Sequence, residues 1–381
     1  MKLFKSLLIA PATLGLLTPM AAISNEVDFQ AISNYSNTEY ELDSYSFKNS
    51  SSNNTLLSGG EGLVDSYSPD SFSTTTSASF TAEAVLGGVS TDDQTLLTND
   101  ATMNVEALSF EYQYGIGLTS SFTGEDSLDV TIDVGGAGPI AGLSATNAFM
   151  GFDATEDVMV VDGITYTFPV GGVTMLVGDS TDISALYTGA CAYGGFADYM
   201  TNCGTGNSIG IGGLGSTVAA SYAFDGGFSI AGGITSPSIE LLGEQDDAFG
   251  IEAAYTADDY GVSIAFSDIE TSTYAGLNGY YAFDFATISA GYETQDIDAA
   301  DDASAFFLGL TKEVGPGTAE LGYGSTDMAI GGLVSADTGY IYEASYAYPV
   351  NDALTITPGF AIVDLEEGET TFAAVKASFS F

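Results

Sequence analysis

The side chains able to do chemistry in this chain are almost all carboxylates. The sequence holds 51 Asp and Glu against 5 Lys and Arg, with no His, for a formal net charge of −46. Without imidazole, a Ser-His-Asp arrangement and a His-ligated metal centre are both unavailable, and no enzyme is expected. The cations are Lys2, Lys5, Lys48, Lys312 and Lys376, with no Arg at all. Such a chain cannot neutralise phosphates, so no nucleic-acid partner is expected.

Spacing decides what the carboxylates can do. In the run ALSFEYQYGIGLTSSF, Leu108, Phe110, Tyr112, Tyr114, Ile116 and Leu118 share one parity, and Ser109, Glu111, Gln113, Gly115, Gly117 and Thr119 take the other. A helix would scatter these sets around its circumference, whereas a strand separates them onto two faces. The polar parity of this and similar runs carries Glu83, Glu111, Asp129, Asp133, Glu252, Glu293, Glu320 and Glu343, with Lys376 as a rare cation. Each taken singly also fits an ordinary solvated face. Closed around water they would line a pore, where a low-dielectric bore focuses like charges and carboxylate rings favour cations.

Two further groups have defined chemistry. Cys191 and Cys203 are the only cysteines, and in an exported chain such a pair is expected to form one disulfide. CxxC spacing is lacking, so no zinc site is expected. The acid pairs Asp246-Asp247, Asp301-Asp302 and Glu366-Glu367 are expected to hold Ca²⁺ or Mg²⁺ weakly at most, through oxygen ligands alone. No cofactor is expected.

The elements that position these residues are strands. Residues 1–24 read as a secretory signal peptide: Lys2 and Lys5, an apolar stretch from Leu7 to Leu17, then small residues up to Ser24. Residues 25–71 are Ser-, Asn- and Tyr-rich without clear periodicity, and read as a periplasmic or luminal segment. Period-two alternation fills 72–381. No later stretch is long enough for a transmembrane helix.

Short turns at Thr123–Asp126, Val170–Gly172, Asp225–Gly227, Asp258–Asp259, Asp284–Ala286, Val314–Gly317 and Val350–Asp352 alternate with longer acidic connections. These connections fall near residues 90–101, 135–156, 180–210, 236–247, 269–274, 295–302, 326–337 and 366–369. Alternating short turns and long loops mark an outer-membrane barrel, here of roughly sixteen antiparallel strands. Closure bonds every backbone group within the sheet, with one parity toward lipid and the other toward water. The last strand, TFAAVKASFSF, ends on Phe381, which would serve as the signal to the barrel-assembly machinery. The location expected is the cell outer membrane, among lipid and lipopolysaccharide.

MKLFKSLLIAPATLGLLTPMAA resembles the leader of cyanobacterial outer-membrane porins, part of the carbohydrate-selective porin family. SFTGEDSLDVTIDVG and GITYTFPVGG resemble two of that family's hairpins. The resemblance implies a sixteen-stranded barrel, often trimeric, that passes small solutes passively. Typical members carry an N-terminal wall-binding domain, for which residues 25–71 are too few, and basic residues near the constriction, where this chain has no Arg. In porin-type barrels the third external loop commonly folds inward, and the third long connection here holds both cysteines. An ordinary surface loop stiffened by a disulfide is the alternative. The function expected is a cation-preferring general porin. A substrate-specific sugar or iron channel and, in another class, a secreted acidic β-rich adhesin remain as alternatives.

Overall fold

The computed structural model describes residues 75–91, 108–136, 147–152, 155–198, 201–209, 215–236, 241–242, 247–269, 272–297, 302–326, 339–365 and 368–380. The signal-peptide reading, the 25–71 segment and Phe381 lie outside the described residues.

Sixteen strands follow one another along the chain. They are β1 (Thr76–Thr91), β2 (Leu108–Ser120), β3 (Ser127–Gly135), β4 (Val160–Val170), β5 (Val173–Thr181), β6 (Gly215–Ala223), β7 (Phe228–Ser236) and β8 (Ala248–Thr256). Then come β9 (Tyr260–Ile269), β10 (Ser272–Phe283), β11 (Ala286–Ile297), β12 (Ala303–Val314), β13 (Gly317–Thr326), β14 (Gly339–Asn351), β15 (Leu354–Leu365) and β16 (Gly368–Ser380). Each pairs antiparallel with its sequence neighbours, and β1 pairs with β16 to close the barrel. The closing register sets Glu83 opposite Ser378 and Val85 opposite Lys376. Closure leaves no unpaired edge, the condition for a sheet in hydrocarbon.

The alternation seen in sequence is realised on the two faces. Along β9, Tyr260, Val262, Ile264 and Phe266 are exposed, while Gly261, Ser263, Ala265 and Ser267 between them are buried. A soluble sheet would bury the large apolar set, so this exposed apolar face is the one suited to lipid. Ring follows ring on that face near the short turns: Phe228–Tyr255, Tyr255–Tyr260, Tyr260–Tyr281, Tyr281–Phe283 and Phe283–Phe285, with centroids 4.5 to 6.3 Å apart. Amphipathic rings suit the boundary between lipid and water.

All seven short turns stand where expected, between β2 and β3 and then every second strand pair. Gly171 and Gly315 take φ of 66° and 63° there, the left-handed backbone that favours glycine. In the first turn, Asp126 accepts hydrogen bonds from Phe122 N, Thr123 N, the Ser121 and Thr123 hydroxyls and the Tyr166 hydroxyl. These donors, the Tyr166 hydroxyl foremost, hold its carboxyl well below the usual carboxylate range.

Two connections expected to be long are short. Only residues 270 and 271 separate β9 from β10, and only 366 and 367 separate β15 from β16. The Thr, Ser and Glu residues around them continue the strand ladder, with Ser272 paired to Ile269 and Leu365 to Gly368. Polarity marks where a strand leaves the apolar zone, and pairing runs on past that point.

Candidate functional site: a loop seated inside the barrel

The connection from β5 to β6 does not stay outside. It starts with a 3-10 turn, Ile183–Leu186, capped by Asp182, whose side chain accepts from Ser184 N. It ends in a kinked turn, Thr201–Gly204, in which Asn202 and Cys203 take φ of 51° and 57°, and one helical turn, Gly206–Ile209. A disulfide joins Cys191, beyond the first turn, to Cys203 within the second. The loop meets side chains of the polar parity on strand after strand, which places it within the barrel.

Carboxylates hold it there. Thr188 N and Gly189 N donate to the two oxygens of Glu252 at 2.7 and 2.8 Å. Ala190 N donates to Asn278 Oδ1 and Ala192 N to Ser289 Oγ. Gly194 N donates to Glu320 at 3.0 Å. Glu343 accepts three bonds, from the Tyr193 hydroxyl at 2.6 Å and from Phe196 N and Ala197 N at 2.6 and 2.7 Å. Glu293 accepts from Ser208 N and Asn207 Nδ2. A loop inside a barrel has few backbone partners of its own, and buried N–H groups must find acceptors. The wall supplies charged ones, which bind about twice as strongly as neutral acceptors.

Glycines of the same parity make room. A Cβ on Gly276 would meet Ser208 Oγ at 2.1 Å, one on Gly291 the Cys203 carbonyl at 1.9 Å, one on Gly322 the Tyr193 hydroxyl at 2.5 Å, and one on Gly359 the Phe196 ring at 2.5 Å. These flat places lie on β10, β11, β13 and β15, and let the loop approach the sheet closely.

An apolar cluster completes the seat. Phe196 stacks on Phe372 at 5.8 Å and Tyr193 packs on Phe307 at 4.9 Å. A second segment joins them: the helical turn Asn147–Met150 of the β3–β4 connection lays Phe149 on Phe372 at 4.8 Å. Asp198 N donates to the Phe149 carbonyl, tying the two connections together. Val85, Ile341, Ala361 and Val363 of the wall lie buried in the same cluster. Burial raises the Tyr193 hydroxyl far above the usual tyrosine range, and the neighbouring Glu343 charge adds to it.

The nine residues read from sequence all fall on the inward parity, but not in one environment. Glu252, Glu293 and Glu343 are sealed beneath the loop, at 1%, 0% and 3% exposure, and Glu320 is joined to it. Glu83 forms a separate group, accepting from Gln113 and Ser378 and lying 3.6 Å from Lys376 Nζ. Asp129 accepts from Thr119 and Ser127. Asp133 lies beside Gly115, at 3.1 Å from the position of a Cβ there. Glu111 is buried, at 5% exposure. Alternation alone treated these acids as equivalent, because it reports which face a residue takes and not what else occupies that face.

Sequence reasoning missed the inner apolar patch. Its signal was a lapse in alternation. Phe306-Phe307-Leu308, Tyr340-Ile341-Tyr342 and Ile362-Val363 place apolar side chains on both parities. Among the described residues no group of three or more acids or thiols is arranged to hold a metal ion. Of the paired loop acids only Asp247 and Asp302 are described.

Neither a scan of protein-family models nor a search of curated proteins finds a match. Solved structures do match. A loop-deletion form of OmpT, an outer-membrane protein of Vibrio cholerae, aligns with a TM-score of 0.56 at 12% identity, over 81% of this chain and 100% of that one. The anion-selective porin of Comamonas acidovorans gives 0.55 at 15%, over 81% and 99%. OprB of Pseudomonas putida gives 0.59 at 10%, over 81% and 94%. The fold is therefore that of the sixteen-stranded outer-membrane porins.

Proposed function

We propose that this chain is an outer-membrane porin, a passive aqueous channel for small ions and solutes that prefers cations. The observation that carries the reading is a closed sixteen-strand barrel with an apolar outer face and an acidic inner face, narrowed by an inward-seated loop. A barrel of this strand number leaves an aqueous passage unless something fills it. Here the loop narrows that passage, bonded to the wall from Glu252 on β8 to Glu343 on β14. Anion preference in one structural neighbour says nothing of this chain. Its described residues contain two cations, Lys312 and Lys376; Lys376 is matched by Glu83 and Lys312 lies on the outward parity.

The remaining features of the reading follow from sequence. Residues 1–24 would direct export, with cleavage near Ser24, and Phe381 would engage the assembly machinery. Homotrimers, lipopolysaccharide contacts bridged by Ca²⁺ or Mg²⁺ at the acidic loops, and membership of the carbohydrate-selective family belong to the same proposal. The fold and the absence of His support a channel without catalysis.

Reversal potentials of the purified protein in planar bilayers under a KCl gradient test the proposal. A cation-selective potential is expected; anion selectivity defeats the preference, and absence of conductance defeats the channel. A sugar-specific channel would show single-channel block by its solute. A secreted adhesin would fractionate away from outer membranes.

A further inference from the structure

The outer face carries a groove and a charge that conduction does not use. Gly279 of β10 faces Val262 of β9 on one side and Ala290 of β11 on the other. Larger side chains rise around this row, Leu277 and Tyr292 toward the long loops and Tyr281 toward the short turns. Together they wall a shallow apolar groove of about 470 Å³. Leu277, Tyr281 and Tyr292 are about half exposed, so no described segment covers it.

The charge lies nearer the short turns. Lys312 of β12 is exposed on the outward parity and faces Ala319 of β13, which faces Tyr346 of β14. On its other side Ala286 lies one step beyond the Thr287–Thr311 pair and faces Phe283. The row thus sets one lysine between two alanines and, outside them, two rings. Such rings mark the level where hydrocarbon meets headgroups, and a lysine there reaches the same level. Among the described residues Lys312 makes no ion pair. The strands and short turns around it are all described.

Charge and groove are spaced as the two ends of one lipid are. Leu308 is the β12 partner of Ala290, and it stands four residues from Lys312, about 14 Å along the strand. With strands tilted by roughly 40°, that is about 11 Å of depth. One leaflet's hydrocarbon is about 15 Å thick. A phosphate held at Lys312 therefore leaves its acyl chain passing through the groove. The short turns put this leaflet on the periplasmic side.

We infer that β9–β12 form a binding site for an anionic glycerophospholipid of the periplasmic leaflet, its phosphate at Lys312 and one chain in the groove. The inference rests on the barrel's place in the membrane and not on conduction. One lysine near a charged surface corresponds to roughly fivefold in binding.

The chain has no Trp, so Tyr292→Trp puts a single fluorophore on the groove of the full-length protein. It is reconstituted in vesicles of phosphatidylcholine and phosphatidylglycerol, with one or the other carrying brominated, quenching chains. Phosphatidylglycerol should bind there roughly fivefold more strongly. Adding Lys312→Gln should abolish the preference, Lys312→Arg should keep it, and raising salt should erode it in Y292W alone. Phe360→Trp, exposed on β15, should show none. Equal binding in Y292W, or a preference that survives K312Q or high salt, overturns the inference. Quenching at F360W but not at Y292W means that a second copy covers the groove, and overturns it too. Quenching at neither defeats the outer-membrane reading itself.

Discussion

Removing the Glu343 carboxylate should unseat the loop while leaving the barrel closed. In Glu343→Ala the Phe196 and Ala197 amides and the Tyr193 hydroxyl lose their shared acceptor, which is 3% exposed in the native protein. A buried donor left unsatisfied costs about 1–3 kcal/mol. Two amides at about 1.5 kcal/mol each give about 3 kcal/mol, near a hundredfold rise in the population in which this stretch leaves the wall.

The sheet itself has little reason to follow. β14 keeps its pairing to β13 and β15 on either side, and the released donors can reach water by local opening. Limited proteolysis and hydrogen exchange at residues 193–198 should show the change, with gel mobility on heating unaltered. In bilayers the conductance should rise and become noisier. Glu343→Gln, which keeps one acceptor oxygen but turns an amide toward the donors, should fall between. Native protection of 193–198 in E343A would refute the reasoning, since the three bonds would then carry none of the loop's stability.

Gly359→Val should act in the same direction by steric means, because its side chain would occupy the space of the Phe196 ring; increased protease cleavage in the loop, with the barrel intact, is the expected readout. Cys191→Ser with Cys203→Ser removes a cross-link spanning 12 residues, worth about 3 kcal/mol in the chain-entropy model, so loop protection should drop while the sheet's own denaturation midpoint moves little. Asp126→Asn tests the first turn. The folded-state carboxyl lies below its unfolded value, so its stabilisation is present above about pH 4 and lost as pH falls through the folded value. The difference in thermal midpoint between wild type and D126N should therefore be large at neutral pH and shrink in acid.

Much of the architecture was readable because membrane-barrel chemistry repeats locally. Tyr260, Val262, Ile264 and Phe266 need only alternate to declare a strand with one apolar face, and the structure exposes that same set. The turn at Val170–Gly172 needs only its glycine. The boundaries near Glu270 and Glu366 were misread because water solvates a strand end and a loop equally well. The loop's inward course left two readings open at the level of residues 180–210. What decides between them is distributed over many strands: an acid on β8, one on β11, one on β13 and one on β14, a phenylalanine on β16 and glycines on β10 and β15.

Sequence alone therefore indicated roughly sixteen strands, their two faces and the places of the short turns, since each depends on neighbours a few residues apart, and it left one pairing open to its two cysteines, 12 residues apart. Only the tertiary structure decided that the β5–β6 connection enters the bore, and which acids it consumes. Glu293 and Ser208 are 85 residues apart in the chain, and Phe196 meets Phe372 only because β1 and β16 close the sheet. Parity sends a carboxylate inward; whether it then meets a loop amide, a lysine or water depends on what the closed cylinder brings to it.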